Sequence, residues 1–429
     1  MRDKILIANR GEIALRIIEA CESLKLDYVT VYTKEDEESL HVRLSKKKYR
    51  IADYRDVNDL LAVADEEKCT AIHPGYGFLS ENYRVARRVV KRERPLIWIG
   101  PSWEAIRDLG NKLFMKKEAS KLGIPVIPGT IEPIYNEIEA ELKAEELLEE
   151  VNTLGFKEVS LLIKAVAGGG GMGIEEAKNL EEVRPVFRKI RAYAKRLFGE
   201  EGIIIEVKIP IFQHLEVQIL GSKKGEYVHF GTRNCTIQSP FKQKRIELAP
   251  GFCPLISYNF DPQVVEREII DLSLKLAKHF NYDSVGTFEW LVTPEGKFYL
   301  MEVNTRIQVE NEISAKISFI KGKQVNLIKE QIRVAFGDSL GYTQKDIEFR
   351  GMSAEFRLIA ENTKKGFVPL SGVITKFSYP KYPWLTMRTH LPQDKPYVIP
   401  TQYDPNLALA IIYGENFEDL LKKCEIFLN

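Results

Sequence analysis

The chain has 429 residues, 44% hydrophobic and 29% charged, with Lys+Arg 62 against Asp+Glu 61 and a formal net charge of +1. That length supports about two or three globular cores, and the balanced charge argues against nucleic acid or an anionic membrane as partner. No apolar run is long enough to span a bilayer, and Met1-Arg2-Asp3-Lys4 leads into a strand rather than a signal peptide's apolar core. The cysteines (Cys21, Cys69, Cys235, Cys253, Cys424) are scattered, and the histidines do not cluster. This reads as reduced thiols in a cytoplasmic protein and speaks against zinc chemistry.

From residue 1 to about 108, strand and helix alternate. Lys4-Ile5-Leu6-Ile7-Ala8 reads as a strand and Asn9-Arg10-Gly11-Glu12 as a turn, and Ile13, Ile17, Ile18 and Cys21 share one side of a helix. Tyr28 to Tyr32, Ala71-Ile72 and Leu96 to Ile99 add strands, giving a parallel α/β domain of Rossmann type. Its turn has one glycine instead of G-x-G-x-x-G, which speaks against a dinucleotide site. His73 to Asn82 is too rich in Gly and Pro for regular structure. It is either an ordinary connection or a ligand loop at the carboxyl edge of the sheet.

Asn111 to Lys121 is a predicted helix carrying Lys112, Lys116 and Lys117. Ile124 to Gly129 looks like a linker, and Glu137 to Glu150 like an acidic helix with a solvated face. Leu161 to Lys164 is a strand ending in a lysine. It runs into Ala167-Gly168-Gly169-Gly170-Gly171-Met172-Gly173, whose backbone N–H groups can approach phosphates closely. No Gly-Lys-Ser/Thr follows, so this is not a P-loop; it is either a flexible linker or a flap that closes over a nucleotide. Ile203 to Val207 and His214 to Ile219 are further strands, Lys242 to Arg245 is a basic loop, and a helix covers about Asp261 to Phe280.

The most informative stretch is Met301 to Glu310. Its even positions, Glu302, Asn304, Arg306, Gln308 and Glu310, are polar and its odd positions apolar or β-branched, so an extended segment puts all five polar groups on one side. Upstream, Gly286 to Val292 and Phe298 to Leu300 form a predicted hairpin with Gly296 at the turn. A two-residue turn at Glu295-Gly296 pairs Pro294 with Lys297 and sets Glu289 opposite Glu302. Opposed like charges need a cation between them, and two carboxylates with Asn304 suit Mg²⁺.

Taken together, these motifs resemble the biotin carboxylase family of the ATP-grasp superfamily over nearly the whole chain. The most specific pieces are Ile7 to Arg16, His73 to Asn82, the Lys164 strand with its glycine flap, Gly286 to Glu289 and Glu302 to Glu310. The resemblance implies a Rossmann-like domain over 1–108, a linker and mobile lid over 109–205, and the ATP-grasp and biotin carboxylase C-terminal part over 206–429. It implies ATP contacts at Lys112, Lys164, Gly169, Gly170, Gly171, Glu206, Ile209, His214, Gln238, Glu289 and Glu302, and Mg²⁺ (or Mn²⁺) at Glu289, Glu302 and Asn304. Lys244, Arg306, Gln308, Val309 and Glu310 match the bicarbonate site. Arg357 matches the arginine facing the biotin ureido oxygen, and Tyr76 lies in the loop near biotin. Lys244, Arg306, Glu310 and Arg357 match the catalytic set.

The implied activity is ATP- and bicarbonate-dependent carboxylation of biotin through carboxyphosphate. No Met-Lys-Met biotinylation site is present, so the biotin carboxyl carrier protein and the carboxyltransferase are expected on separate chains, with a homodimer implied by resemblance. Departures from the family pattern are Met172 for an arginine, Phe241-Lys242 where a histidine is expected, Asn311 for a histidine, Leu409 and Val207 for lysines, and an earlier end than many members. Two other readings remain: an ATP-grasp ligase activating another carboxylate, and a non-catalytic scaffold subunit. The final carboxyl acceptor is not encoded here.

Overall fold

In the computed structural model, the described residues are 3–153, 159–166, 173–240 and 243–429. The flap residues Gly169, Gly170, Gly171 and Met172, and the pair Phe241-Lys242, lie outside them.

The first layer is a five-stranded parallel sheet in the order Lys48–Arg50, Asp27–Tyr32, Lys4–Ile7, Ala71–His73, Ile97–Trp98. This is the Rossmann-like arrangement expected from the alternation. Ile5, Leu6 and Ile7 are completely buried because helices cover both faces. The helix Gly11–Leu24 starts within the expected turn. Asn9 then clamps the Gly/Pro-rich loop, its Nδ2 donating to Pro74 O at 2.6 Å and Tyr76 O at 2.8 Å. Gly75 allows that approach: its φ is +62°, and a Cβ there would lie 2.8 Å from Asn9 Nδ2.

A small antiparallel sheet follows, in the order Ile174–Ala177, Ser160–Ala165, Ile203–Lys208. The expected division at 205/206 falls inside its last strand. The acidic helix, Glu137–Thr153, does more than present a solvated face. It buries Ala140, Ala144, Leu147 and Val151, spaced by four, three and four, in a core shared with Val183, Phe187 and Ile190. The expected linker also pairs, Val126 bridging to Leu300 and Gly129 to Glu206.

The largest element is an antiparallel eight-stranded sheet. Its order is Phe298–Asn304, Val285–Val292, Gln213–Gly221, Tyr227–Gln238, Lys244–Ala249, Met352–Ile359, Asn406–Gly414, Leu385–Thr389. Lys244 and Arg245 thus begin a strand instead of sitting in a basic loop. Helix Pro262–His279, capped by Asp261, packs on it through Val265, Ile269 and Leu276. Helix Asn311–Ile317 packs through Ile313 and Ile317 against Ala249, Leu409 and Ile411. Among the described residues, no helix is long and apolar enough to cross a membrane.

Candidate active site

The hairpin delivers Glu289 opposite Glu302 by a different route from the one expected. The loop has three residues: Thr293 N donates to Lys297 O at 2.8 Å, and Gly296 N to Thr293 O at 2.9 Å. A bulge at Met301 then shifts the register back by one. The strand ends at Asn304, so Arg306, Gln308 and Glu310 are not on its face; they reach the site from the turn before helix Asn311–Ile317.

Glu289 is also the register partner of Glu216 on its other side, and that neighbour was not foreseen. Three carboxylates converge on one ammonium. Lys244 Nζ pairs with Glu216, lies 3.2 Å from Glu289 Oε1 and 2.7 Å from Glu310 Oε1. Burial acts to lower the Lys244 pKa, but the charges of Glu216, Glu289 and Glu310 outweigh it and raise it. Glu310 is only 2% exposed and also meets Arg357 Nη2 at 3.0 Å. Burial acts to raise its carboxyl; Lys244, Arg357 and Arg233 outweigh this and hold it below the usual range.

Arg233, fully buried, is the second unforeseen residue. Its guanidinium donates to Glu216 Oε2 (2.9 Å), Gln218 Oε1 (2.7 Å), Gln308 Oε1 (2.7 Å) and Thr287 Oγ1 (3.1 Å), using the planar fork to lock three strands and the turn together. Gln308 Nε2 in turn donates to Glu289 Oε1 at 3.0 Å. His214 Nε2 lies 2.8 Å from Glu289 Oε2, and Gln238 Nε2 donates to His214 Nδ1 at 2.9 Å, which orients the ring toward the carboxylate. Burial raises the Glu289 carboxyl, yet Lys244 and His214 bring it well below its ordinary value.

Arg306 is held from the N-terminal loop: its Nε donates to Glu81 Oε2 at 3.1 Å and its Nη2 to Asn304 Oδ1 at 3.2 Å. Tyr76, in the same loop, donates to Glu12 Oε1 at 2.7 Å. Val309 packs on the Leu409 cluster, and its carbonyl lies 3.5 Å from Arg16 Nη1. Asn311 ties the same arginine (2.7 Å to Nη2) and donates to Gln308 O at 2.6 Å. Leu409 is simply core, and so is Val207.

The other end of the cleft has its own ion pairs. Lys112 Nζ lies 2.6 Å from Glu302 Oε2. Glu206 joins Lys164 to Lys116, the latter at 2.9 Å and almost fully buried. Burial raises the Glu206 carboxyl, but Lys116 and Lys164 bring it down to about 2. Ile209 packs with Ile127, Leu291 and Tyr299 beside these pairs. Lys116 follows Lys112 by one helical turn, the one sequence signal that could have flagged it.

Glu289, Glu302 and Asn304 offer hard oxygen donors, the set Mg²⁺ takes. Each carboxylate already sits against a cation, Lys244 at Glu289 and Lys112 at Glu302, so positive charge belongs here electrostatically. Chemically, the cleft combines a carboxylate lodged between two cations with a second row of ammonium–carboxylate pairs that phosphate oxygens can exchange into.

Family models match along the chain: the biotin carboxylase N-terminal domain over residues 1–106, the carbamoyl-phosphate synthase L chain ATP-binding domain over 111–343, and the biotin carboxylase C-terminal domain over 355–429. Biotin carboxylase 1 of Bacillus subtilis is 36% identical over 430 residues, covering 99% of this chain and 90% of the relative. The 2-oxoglutarate carboxylase small subunit of Hydrogenobacter thermophilus is 35% identical over 424 residues, covering 97% and 84%. The crystallised biotin carboxylase domain dimer of that organism's 2-oxoglutarate carboxylase, bound to MgADP, ADP and bicarbonate, superposes with a TM-score of 0.86 at 34% identity, over 100% of this chain and 90% of that one. The three consecutive domain matches and the long relatives agree with the fold and the motifs: the chain belongs to the biotin carboxylase family.

Proposed function

We propose that this protein uses ATP and bicarbonate to carboxylate biotin on a separate carrier protein, through carboxyphosphate, with the roles that follow. The observation that carries this reading is Glu310 lodged between Lys244 and Arg357. A base between two cations is an anion site with its own proton acceptor.

Bicarbonate arrives as an anion with a proton to lose. It competes with Glu310 for Lys244, and Arg306 supplies a further cation, with Gln308 and Val309 at the sides. Drawing Lys244 away raises the basicity of Glu310 where a proton must be accepted. At the other end, Lys112 and Lys164 exchange Glu302 and Glu206 for phosphate oxygens. Glu206 and Ile209 border the adenine, His214 and Gln238 the rest of the nucleotide, and Gly169, Gly170 and Gly171 close over it. Glu289, Glu302 and Asn304 would hold Mg²⁺ or Mn²⁺, which when bound neutralises charge on the phosphates.

The bond from bicarbonate oxygen to the γ-phosphorus forms as the bond to ADP breaks, so catalysis is mainly positioning and charge. Carboxyphosphate yields CO₂ and phosphate. The phosphate takes the N1′ proton of biotin and the freed electron pair forms the N1′–carbon bond to CO₂, while Arg357 meets the ureido oxygen and Tyr76 borders the ring. Closure keeps water from the intermediate.

We place the carrier and the carboxyltransferase on other chains, the enzyme as a homodimer, and the whole in the cytoplasm. The relative named as a small subunit, the dimer of the solved domain, and the free, mostly buried cysteines support this. The test is ADP release from Mg-ATP with and without bicarbonate, each with and without free biotin. Turnover that requires bicarbonate and rises with biotin is expected. ATP binding with no effect of bicarbonate, repeated with the cognate carrier protein, overturns the reading in favour of a scaffold.

A further inference from the structure

Beneath Arg357 lie two carboxylates that the proposed chemistry does not use. Glu247, on strand Lys244–Ala249, and Glu355, on strand Met352–Ile359, are direct register partners, and both are fully buried. Like charges directly opposed on neighbouring strands repel. Apart from the Arg357 guanidinium, no hydrogen-bond donor among the described residues meets any of their four oxygens.

One cation serves both. Arg357 Nη2 lies 2.5 Å from Glu247 Oε1, and Arg357 Nε lies 3.8 Å from Glu355 Oε1. The same Nη2 holds Glu310. Continuing the row past Glu355 comes Ile411, and Leu409 faces Arg357 across the strands; both are completely buried. The other ionisable groups acting on the pair are Glu310 at the helix Asn311–Ile317, Lys244 on the strand of Glu247, Arg16 from helix Gly11–Leu24 and Cys235 from strand Tyr227–Gln238. Lys244 is already committed to Glu216, Glu289 and Glu310. Three carboxylates therefore compete for one guanidinium.

We propose that Glu247 and Glu355 share a single proton and that the resulting singly charged pair positions Arg357 for biotin. With one negative charge the pair anchors the Nε and Nη2 edge of the guanidinium and still leaves Nη2 on Glu310. Nη1 makes no hydrogen bond among the described residues and is the edge left for the ureido oxygen. Burial raises both carboxyls, Glu247 to about 7 against the pull of Arg357. As pH rises through that range, Glu247 ionises and gives the pair its single charge; only at more alkaline pH, where Glu355 follows, does the pair gain a second charge and draw Arg357 inward. This deepens the proposed function, because it rests on Arg357 facing biotin.

The test uses the full chain with Glu355→Gln, Glu247→Gln and the double variant. The infrared band of a protonated carboxyl at neutral pH reads the proton without turnover. It is expected in the wild type and reduced in the double variant; its absence from the wild type, or its survival undiminished in the double variant, overturns the shared proton. In turnover, the wild-type KM for biotin should rise at alkaline pH, and Glu355→Gln should flatten that rise because its pair cannot take a second charge. The double variant should lower the ratio of biotin carboxylation to bicarbonate-dependent ATP hydrolysis about tenfold, the loss of one charge-assisted contact. An unaltered pH profile in Glu355→Gln, or equal losses of both activities, overturns the positioning role. Wild-type ATP hydrolysis that ignores bicarbonate instead sinks the proposed function, while the infrared band still decides the pair.

Discussion

The two ends of the cleft use the same ammonium–carboxylate chemistry at very different exposures. Around Lys244, the side chains of Glu216, Glu289 and Glu310 are at most 5% exposed, whereas Lys112 is 59% exposed and Glu302 29%. An exposed pair is worth about 0–1 kcal/mol, so phosphate oxygens can displace it cheaply. A buried charge that loses its partner costs about 3–5 kcal/mol, so the inner cluster stays assembled and offers a fixed field. The Lys112–Glu302 pair is built for exchange and the Lys244 cluster for preorganisation.

That contrast can be broken in three places. Glu310→Gln removes the proposed proton acceptor and keeps the shape; bicarbonate-dependent ADP release should fall about 10²-fold or more, the usual worth of a general base. Turnover surviving at wild-type rate would move the base elsewhere. Arg233→Met leaves Glu216 with Lys244 as its one close cation among the described residues and removes the clamp on Gln218 and Gln308. Denaturant unfolding should show a loss of about 3–5 kcal/mol, and a loss near zero would mean that Glu216 is already neutral. Lys112→Ala should raise the KM for ATP and leave the melting temperature almost unmoved. A clear drop in melting temperature would show that the outer pair is structural after all.

Alternation marked the Glu289–Glu302 face, whereas Lys112, Lys164, Lys244 and Arg357 entered through the family resemblance. The Glu289–Glu302 pairing was found, but through an assumed two-residue turn; a three-residue loop and the Met301 bulge cancel, and no pattern of polar residues signals such a cancellation. The assumption that residues 301–310 were all strand put Arg306, Gln308 and Glu310 together for the wrong local reason. They meet because the chain turns at Thr305 into helix Asn311–Ile317. Glu216 and Arg233 were missed because their importance depends on which strands lie side by side, and sheet order is a long-range property. Glu81 escaped for the same reason, reaching Arg306 from the loop after strand Ala71–His73 across 225 residues of sequence. The glycines Gly169 to Gly171 fall outside the described residues, so their part stands on resemblance.

The continuity of the eight-stranded sheet has a consequence for anyone dissecting the molecule. The family matches end at residue 343 and resume at 355, which invites a cut between them. Yet strand Lys244–Ala249 of the first piece hydrogen-bonds directly to strand Met352–Ile359 of the second. Separating them bares two raw strand edges, each with a row of unpaired N–H and C=O groups, the geometry that seeds aggregation. Expressed apart, the halves should precipitate or seek each other out; expressed together, they should reassemble along that seam.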